Sequence, residues 1–189
     1  TNGDMGAFKF TIQKYYRING GSVQLEGVKS DVVIPNRYSY IDFGEKEQDN
    51  PLEWDKITAV EYTPWSSNFD YSSAIEKSKL RIKFNEYLKL IDDNAKWIKS
   101  VRDNEEFTLN YFTYIDKIKE DELTSKSFDK LKEFKTNLEF KSLPYEISLF
   151  EKDSTLELKR NRWHKNLAKD LYIEEALNVL NDLKISYNN

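Results

Sequence analysis

The stretch KYYRINGGSVQLEGVKSDVVIP, residues 14–35, reads as strand, glycine turn, strand, sharp turn, strand and proline stop. Just ahead of it, and running into it, AFKFTIQKYYRI alternates. Phe8, Phe10, Ile12 and Lys14 fall on one face, and Lys9, Thr11 and Gln13 on the other. A period of two, carried by β-branched and aromatic residues, is the strand signal. Gly20 and Gly21 supply the turn, SVQL is a second short strand ended by Gly27, and DVVIP is a third. Pro35 stops it, because proline has no N–H to give to a ladder. Three such strands form an open sheet that is marginal by itself. The expectation is that their neighbours lie in another part of a longer protein.

Working outward, the architecture changes near residues 42–44. All six glycines fall within the first 44 residues, and the remainder has none. Glycine serves tight turns and weakens helices by about 1 kcal/mol, so its confinement marks a boundary. Residues 1–42 carry five basic and four acidic side chains, a charge of +1, so with a net charge of −4 the remainder carries −5. Residues 36–71 read as a long connector with one helical turn at LEWDKI. Its aromatics (Tyr38, Tyr40, Phe43, Trp54, Tyr62, Trp65, Phe69 and Tyr71) are expected to staple it onto helices rather than to form a sugar- or peptide-binding strip.

From Ser73 the chain turns helical. Ser73 with Glu76 has the spacing of a capping box. Phe84, Tyr87, Leu88, Ile91, Ala95, Ile98 and Val101 then recur as one apolar stripe. Thr108 is placed as the cap of a helix carrying Tyr111, Ile115 and Ile118, although Phe107, Leu109 and Tyr111 also alternate like a strand. Phe128, Leu131, Phe134 and Leu138 make a further stripe. Pro144 is read as a break, with YEISLF a short extended segment. Ser154 with Glu157 opens a helix through Trp163 and Leu167, and Asp170 opens a last helix with Ile173, Ala176, Leu177 and Leu180 inward.

Composition bounds the function. Aromatics at 14% predict an aromatic-rich core. A pI near 5.3 argues against general nucleic-acid affinity, which needs a basic face. The absence of cysteine rules out disulfides and cysteine-based metal sites. No run approaches the roughly 18 apolar residues of a spanning helix.

The front piece, GAFKFTIQKYYRINGGSVQLEGVKSDVVIP, resembles the end of the catalytic core of tail-specific, or carboxyl-terminal processing, proteases. In that family a strand rich in Thr, Gln, Lys and Tyr leads to a glycine turn, then Ser-x-Gln, Gly-Val-x-x-Asp and proline. Here these are Thr11, Gln13, Lys14, Tyr15, Tyr16, Gly20 or Gly21, Ser22, Gln24, Gly27, Val28, Asp31 and Pro35. Ser30 stands where the family usually has a proline before the aspartate. DNPLEWDKI, residues 49–57, looks like the family's join between core and C-terminal region, and the helical remainder is similar to that region.

The resemblance implies an α+β chain. Residues 1–42 would be terminal strands of the protease core and residues 43–189 the C-terminal, mainly helical domain. It implies a parent endopeptidase of the bacterial periplasm or cell envelope that cuts proteins near their C-termini. A serine would be activated there by a lysine kept neutral through desolvation. The nucleophile and the Gly-Lys-Gly segment of the base precede this region in the family, and neither motif occurs here. No residue is therefore assigned a catalytic, cofactor-binding or metal-ligating role, and no cofactor is expected. The expected partners are protein substrates and a lipoprotein-type adaptor, with no nucleic acid and no membrane contact except through the parent.

Other tempting residues read as structural. Lys14 with Ser22 is a strand lysine beside a turn serine. His164, the single histidine, has no metal-ligand partners at suitable spacing. LKRNRWHK, residues 158–165, reads as a solvated face with Trp163 packed inward, and DKIKEDE, residues 116–122, as an exposed helix surface. The rival reading is a stand-alone helical protein-interaction module with a β-hairpin arm. An RNA-binding protein using Arg160, Arg162 and Lys165 ranks below both.

Overall fold

The structure is a computed structural model. It describes the chain except residues 1–2, 4–5, 8–9, 66–68 and 188–189 and the side chains of 185–187. Phe8 and Lys9, part of the predicted alternation, lie outside the described residues. The chain divides into two compact units, Thr1–Asp31 with Asp42–Ser67, and Val32–Ile41 with Asn68–Asn189.

The first unit holds no regular strand among its described residues. It has two isolated antiparallel bridges, Tyr16 with Ser22 and Gly21 with Lys56, and a 3-10 turn at Gly44–Glu47. The expected three-stranded sheet is therefore corrected, and the reasons are local. Val23 N–H donates to Tyr15 O and Arg17 N–H to Gly21 O, which closes the first turn. The second segment then bends at once. Leu25 has φ of +58°, and Gly27 N–H donates back to Val23 O at 2.8 Å. A leucine in the left-handed region costs about 1–2 kcal/mol and cannot continue a strand. LEWDKI is not a helical turn. It runs extended past the glycine turn, with Ser22 N–H donating to Asp55 O, Ile57 N–H to Gly20 O and Val60 N–H to Ile18 O.

The second unit is helical. Its elements are α1 (Tyr71–Phe84), α2 (Glu86–Arg102), α3 (Tyr111–Ser127), a 3-10 stretch (Phe128–Glu133), α4 (Pro144–Phe150), α5 (Ser154–Leu167) and α6 (Leu171–Tyr187). Helices α1 and α6 pack together, α2 packs on α1 and on the 3-10 stretch, and α4 packs on α5. The start sites follow the better caps. Asp70 accepts from Ser73 N–H, Asn110 from Thr113 N–H and Asp153 from Leu156 N–H. Ser73, Thr108 and Ser154 therefore do not cap: the helices begin after Asp70, Asn110 and Asp153, whose side chains already take the first free N–H groups. Asn85 ends α1 with ψ of 118° and caps α2 by accepting from Leu88 N–H, so the single long helix of the stripe is two. Pro144 begins α4 instead of breaking the chain: the first helical position needs no N–H, and Glu146 turns back to accept from Leu143 N–H.

The fully buried apolar residues described are Ala74, Leu88, Ala95 and Leu171, so the core is small and aliphatic. The aromatics expected there pair around it at half burial. Tyr87 meets Phe134 edge-on with centroids 5.0 Å apart, and Trp97 tilts against Phe128 at 5.7 Å. Small residues on α1, Ala74 and Ser78, leave no room for large rings where the helix meets its neighbours. On α6 the inner face is Leu171, Glu175 and Asp182, not Ala176, Leu177 and Leu180, which are exposed, while Ile173 is half-buried.

Candidate functional site

In the first unit the two segments that carried the resemblance are bonded to each other. Trp54 Nε1–H donates to Ser22 O at 2.9 Å, and Lys14 Nζ donates to Glu53 O at 2.8 Å while lying 3.2 Å from Asp55 Oδ1. Tyr16 O–H donates to the other oxygen of Asp55 at 2.9 Å. Burial pushes the Asp55 carboxyl up, but the hydrogen bonds from Tyr16 and Lys14 outweigh it and hold the group below its usual range. The same bond to Asp55 raises the Tyr16 hydroxyl. Gly20 is required here. Its φ is +81°, and a β-carbon on it would stand 2.1 Å from Ile57 O.

This geometry disposes of Lys14 and Ser22 as a catalytic pair. The lysine's donors go to Glu53 O and Asp55, and the buried Ser22 Oγ accepts from Asp55 N–H at 3.3 Å. The cluster joins two segments; it does not activate a hydroxyl.

In the second unit two polar constructions hold the helices. The first lies between α1 and α6. Arg81 bonds both Glu175 oxygens, with Nη2 at 2.8 Å from Oε1, and its Nη1 reaches Asp182 at 2.7 Å. Ser78, fully buried, donates to Glu175 at 2.6 Å, and Lys77 stands 3.6 Å from Asp182. Glu175 foremost holds the Arg81 guanidinium above its usual range. The second construction is a strap, residues 32–41. Tyr40 O–H donates to Asp92 Oδ1 at 2.6 Å on α2, Lys96 pairs with the other Asp92 oxygen at 2.7 Å, and Tyr172 O–H on α6 donates to Pro35 O at 2.9 Å. Lys96 and then Tyr40 hold the Asp92 carboxyl below its usual range. Asp92 in turn raises the Tyr40 hydroxyl.

Sequence reasoning missed both. The signal was spacing: Glu175 and Asp182 are seven apart on one helix face, and Lys77 and Arg81 four apart on another.

The other predicted candidates disperse. Arg160 of the basic cluster is spent on the buried Glu146 at 2.6 Å, and its guanidinium covers Trp163, which is half exposed and not packed inward. The DKIKEDE segment is exposed α3 surface, where Lys119 pairs with Asp116 and Glu122 with Lys126 beyond it. Among the connector aromatics, Tyr40 does staple onto a helix, Trp54 staples onto the glycine turn, and Trp65 is 80% exposed. No helix among the described residues is long and apolar enough to cross a membrane.

Comparison with known proteins gives this arrangement a family. Residues 38–184, which include the Tyr40 strap contact, the DNPLEWDKI segment and nearly all of the helical unit, match the family described as the C-terminal domain of tail specific protease. The chain belongs to that family. It is also similar to the tail-specific protease of Haemophilus influenzae, with 36% identity over 112 residues. That alignment covers 57% of this chain and 16% of the relative. The matched region of this chain contains the whole Arg81 cluster, and the stretch at residues 14–35 lies ahead of it.

Proposed function

We propose that this chain is the C-terminal, non-catalytic part of a serine-type endopeptidase that cleaves envelope proteins from near their C-termini. Residues 1–42 supply the terminal strands of the protease core, and residues 43–189 form the helical domain that supports it. The reacting serine and lysine belong to the preceding part of the parent, which works in the periplasm. The helical domain contacts unfolded substrate or a lipoprotein-type adaptor.

The observation that carries this reading is the match of residues 38–184 to the tail-specific protease domain. The state of the front segment supports it. Phe10, Ile12, Tyr15 and Ile18 are all more than half exposed, with only isolated bridges beside them. Exposed apolar residues on an extended segment, with no sheet beside them among the described residues, fit an edge that pairs with strands elsewhere.

The test is cleavage of an unstructured peptide. The parent protein is expected to cut it and this chain alone is not. Turnover by this chain, abolished by Lys14→Ala or Ser22→Ala, would move the chemistry into it and overturn the proposal.

A further inference from the structure

The single histidine lines a groove that the protease reading does not use. The groove has a volume of about 440 Å³ and lies between the extended segment after the 3-10 stretch and the C-terminal end of α5. The two are joined by Thr136 N–H donating to Ala168 O at 2.8 Å. Leu138, Phe140 and Ala168 give it an apolar floor, and Lys135, His164, Lys165 and Lys169 surround that floor. Its one carboxylate, Glu139, is paired with Lys141 at 3.1 Å. Among the described residues Lys135, Lys165 and Lys169 have no carboxylate within salt-bridge distance, and what sets them apart from other unpaired lysines is that they converge on one groove.

Lys165 and Lys169 have a plain structural use, since cations are favoured at a helix C-terminus. Lys135 does not share it, because it comes from a different segment and converges on the same groove. Three uncompensated ammonium groups around an apolar floor are complementary to carboxylates flanking a bulky apolar side chain. Phosphate backbones would need a wider basic surface, and Arg160 is already committed to Glu146.

We infer that this groove is a docking site for a short acidic peptide segment of a partner protein, with one leucine or phenylalanine seated on Leu138, Phe140 and Ala168 and its flanking carboxylates paired to Lys135, Lys165 and Lys169. The inference goes beyond the protease assignment and does not depend on it.

The test is fluorescence anisotropy on the full chain with a labelled Asp-Glu-Leu-Phe-Glu-Asp peptide. Saturable binding is expected, weakened roughly tenfold by Lys135→Glu with Lys165→Glu and Lys169→Glu, as three exposed ion pairs are lost. Leu138→Ala, at an exposed position that leaves the fold intact, is expected to weaken it severalfold. Absence of binding, equal binding of Lys-Arg-Leu-Phe-Arg-Lys, stronger binding of an oligouridine, or indifference to the charge reversal would each overturn the site.

Discussion

Arg81 ties together two carboxylates of α6, Glu175 and Asp182, and the buried Ser78 of α1 donates to the first of them. Taking charges out of water is costly, and the return depends on every partner being present. Arg81→Ala would leave the buried Glu175 without its cation and Asp182 with only the longer contact to Lys77 at 3.6 Å. It is expected to cost about 3 kcal/mol, the low end for a broken buried pair because the guanidinium is one-third exposed. Lys130→Ala, which breaks an exposed pair with Glu86 at 3.6 Å, is expected to cost less than about 0.5 kcal/mol. Urea midpoints of the two variants measure the contrast, and equal midpoints would remove the cluster from the account of stability. The strap has its own residue-scale signature. Asp92 is held below its usual range in the folded state, so its contribution is present above the unfolded carboxylate pKa of about 3.9 and is lost as pH falls through the lower folded value. NMR shifts of residues 33–40 are expected to hold steady from neutral pH and move only in that acid range, and Asp92→Asn is expected to abolish the transition.

At the scale of elements, the sequence was legible where one local rule acted alone. Asp170 does open the last helix, its carboxylate accepting from Tyr172 and Ile173 N–H. Where two rules competed, periodicity misled. The stripe from Phe84 to Val101 keeps its phase across Asn85, so it hides the break that the Asn85 cap makes. The strand alternation at residues 22–25 is equally clean, yet Leu25 turns out of it because nothing beside it completes a ladder. The inner face of α6 could not be read from hydrophobicity, since carboxylates answering Arg81 displace leucines to the outside. Asn85→Ala is expected to cost about 1 kcal/mol through the lost cap, and Ser73→Ala, beside the true cap Asp70, a few tenths. Thermal unfolding of both variants checks it; a larger loss at Ser73 would return the capping role to that residue.

For the molecule as a whole, family membership assigns the helical unit, and the front segment is where the proposed pairing with a protease sheet is tested. Among the described residues the buried apolar ones are as few as Ala74, Leu88, Ala95 and Leu171, while Phe10, Ile12, Phe107 and Leu109 are exposed, which keeps much apolar surface available for burial elsewhere. The alternation read over residues 8–14 predicts the first strand of an open sheet, but among the described residues only isolated bridges form, because a ladder needs partners. Amide hydrogen exchange compares the chain alone with the parent protein most directly. In the chain alone, amides of residues 10–13 and 28–31 are expected to exchange near the unstructured rate, and in the parent at least about 100-fold more slowly, while those of Leu88–Ala95 stay protected in both. Equal protection of residues 10–13 in the two would contradict the claim that this segment is the edge of a protease sheet.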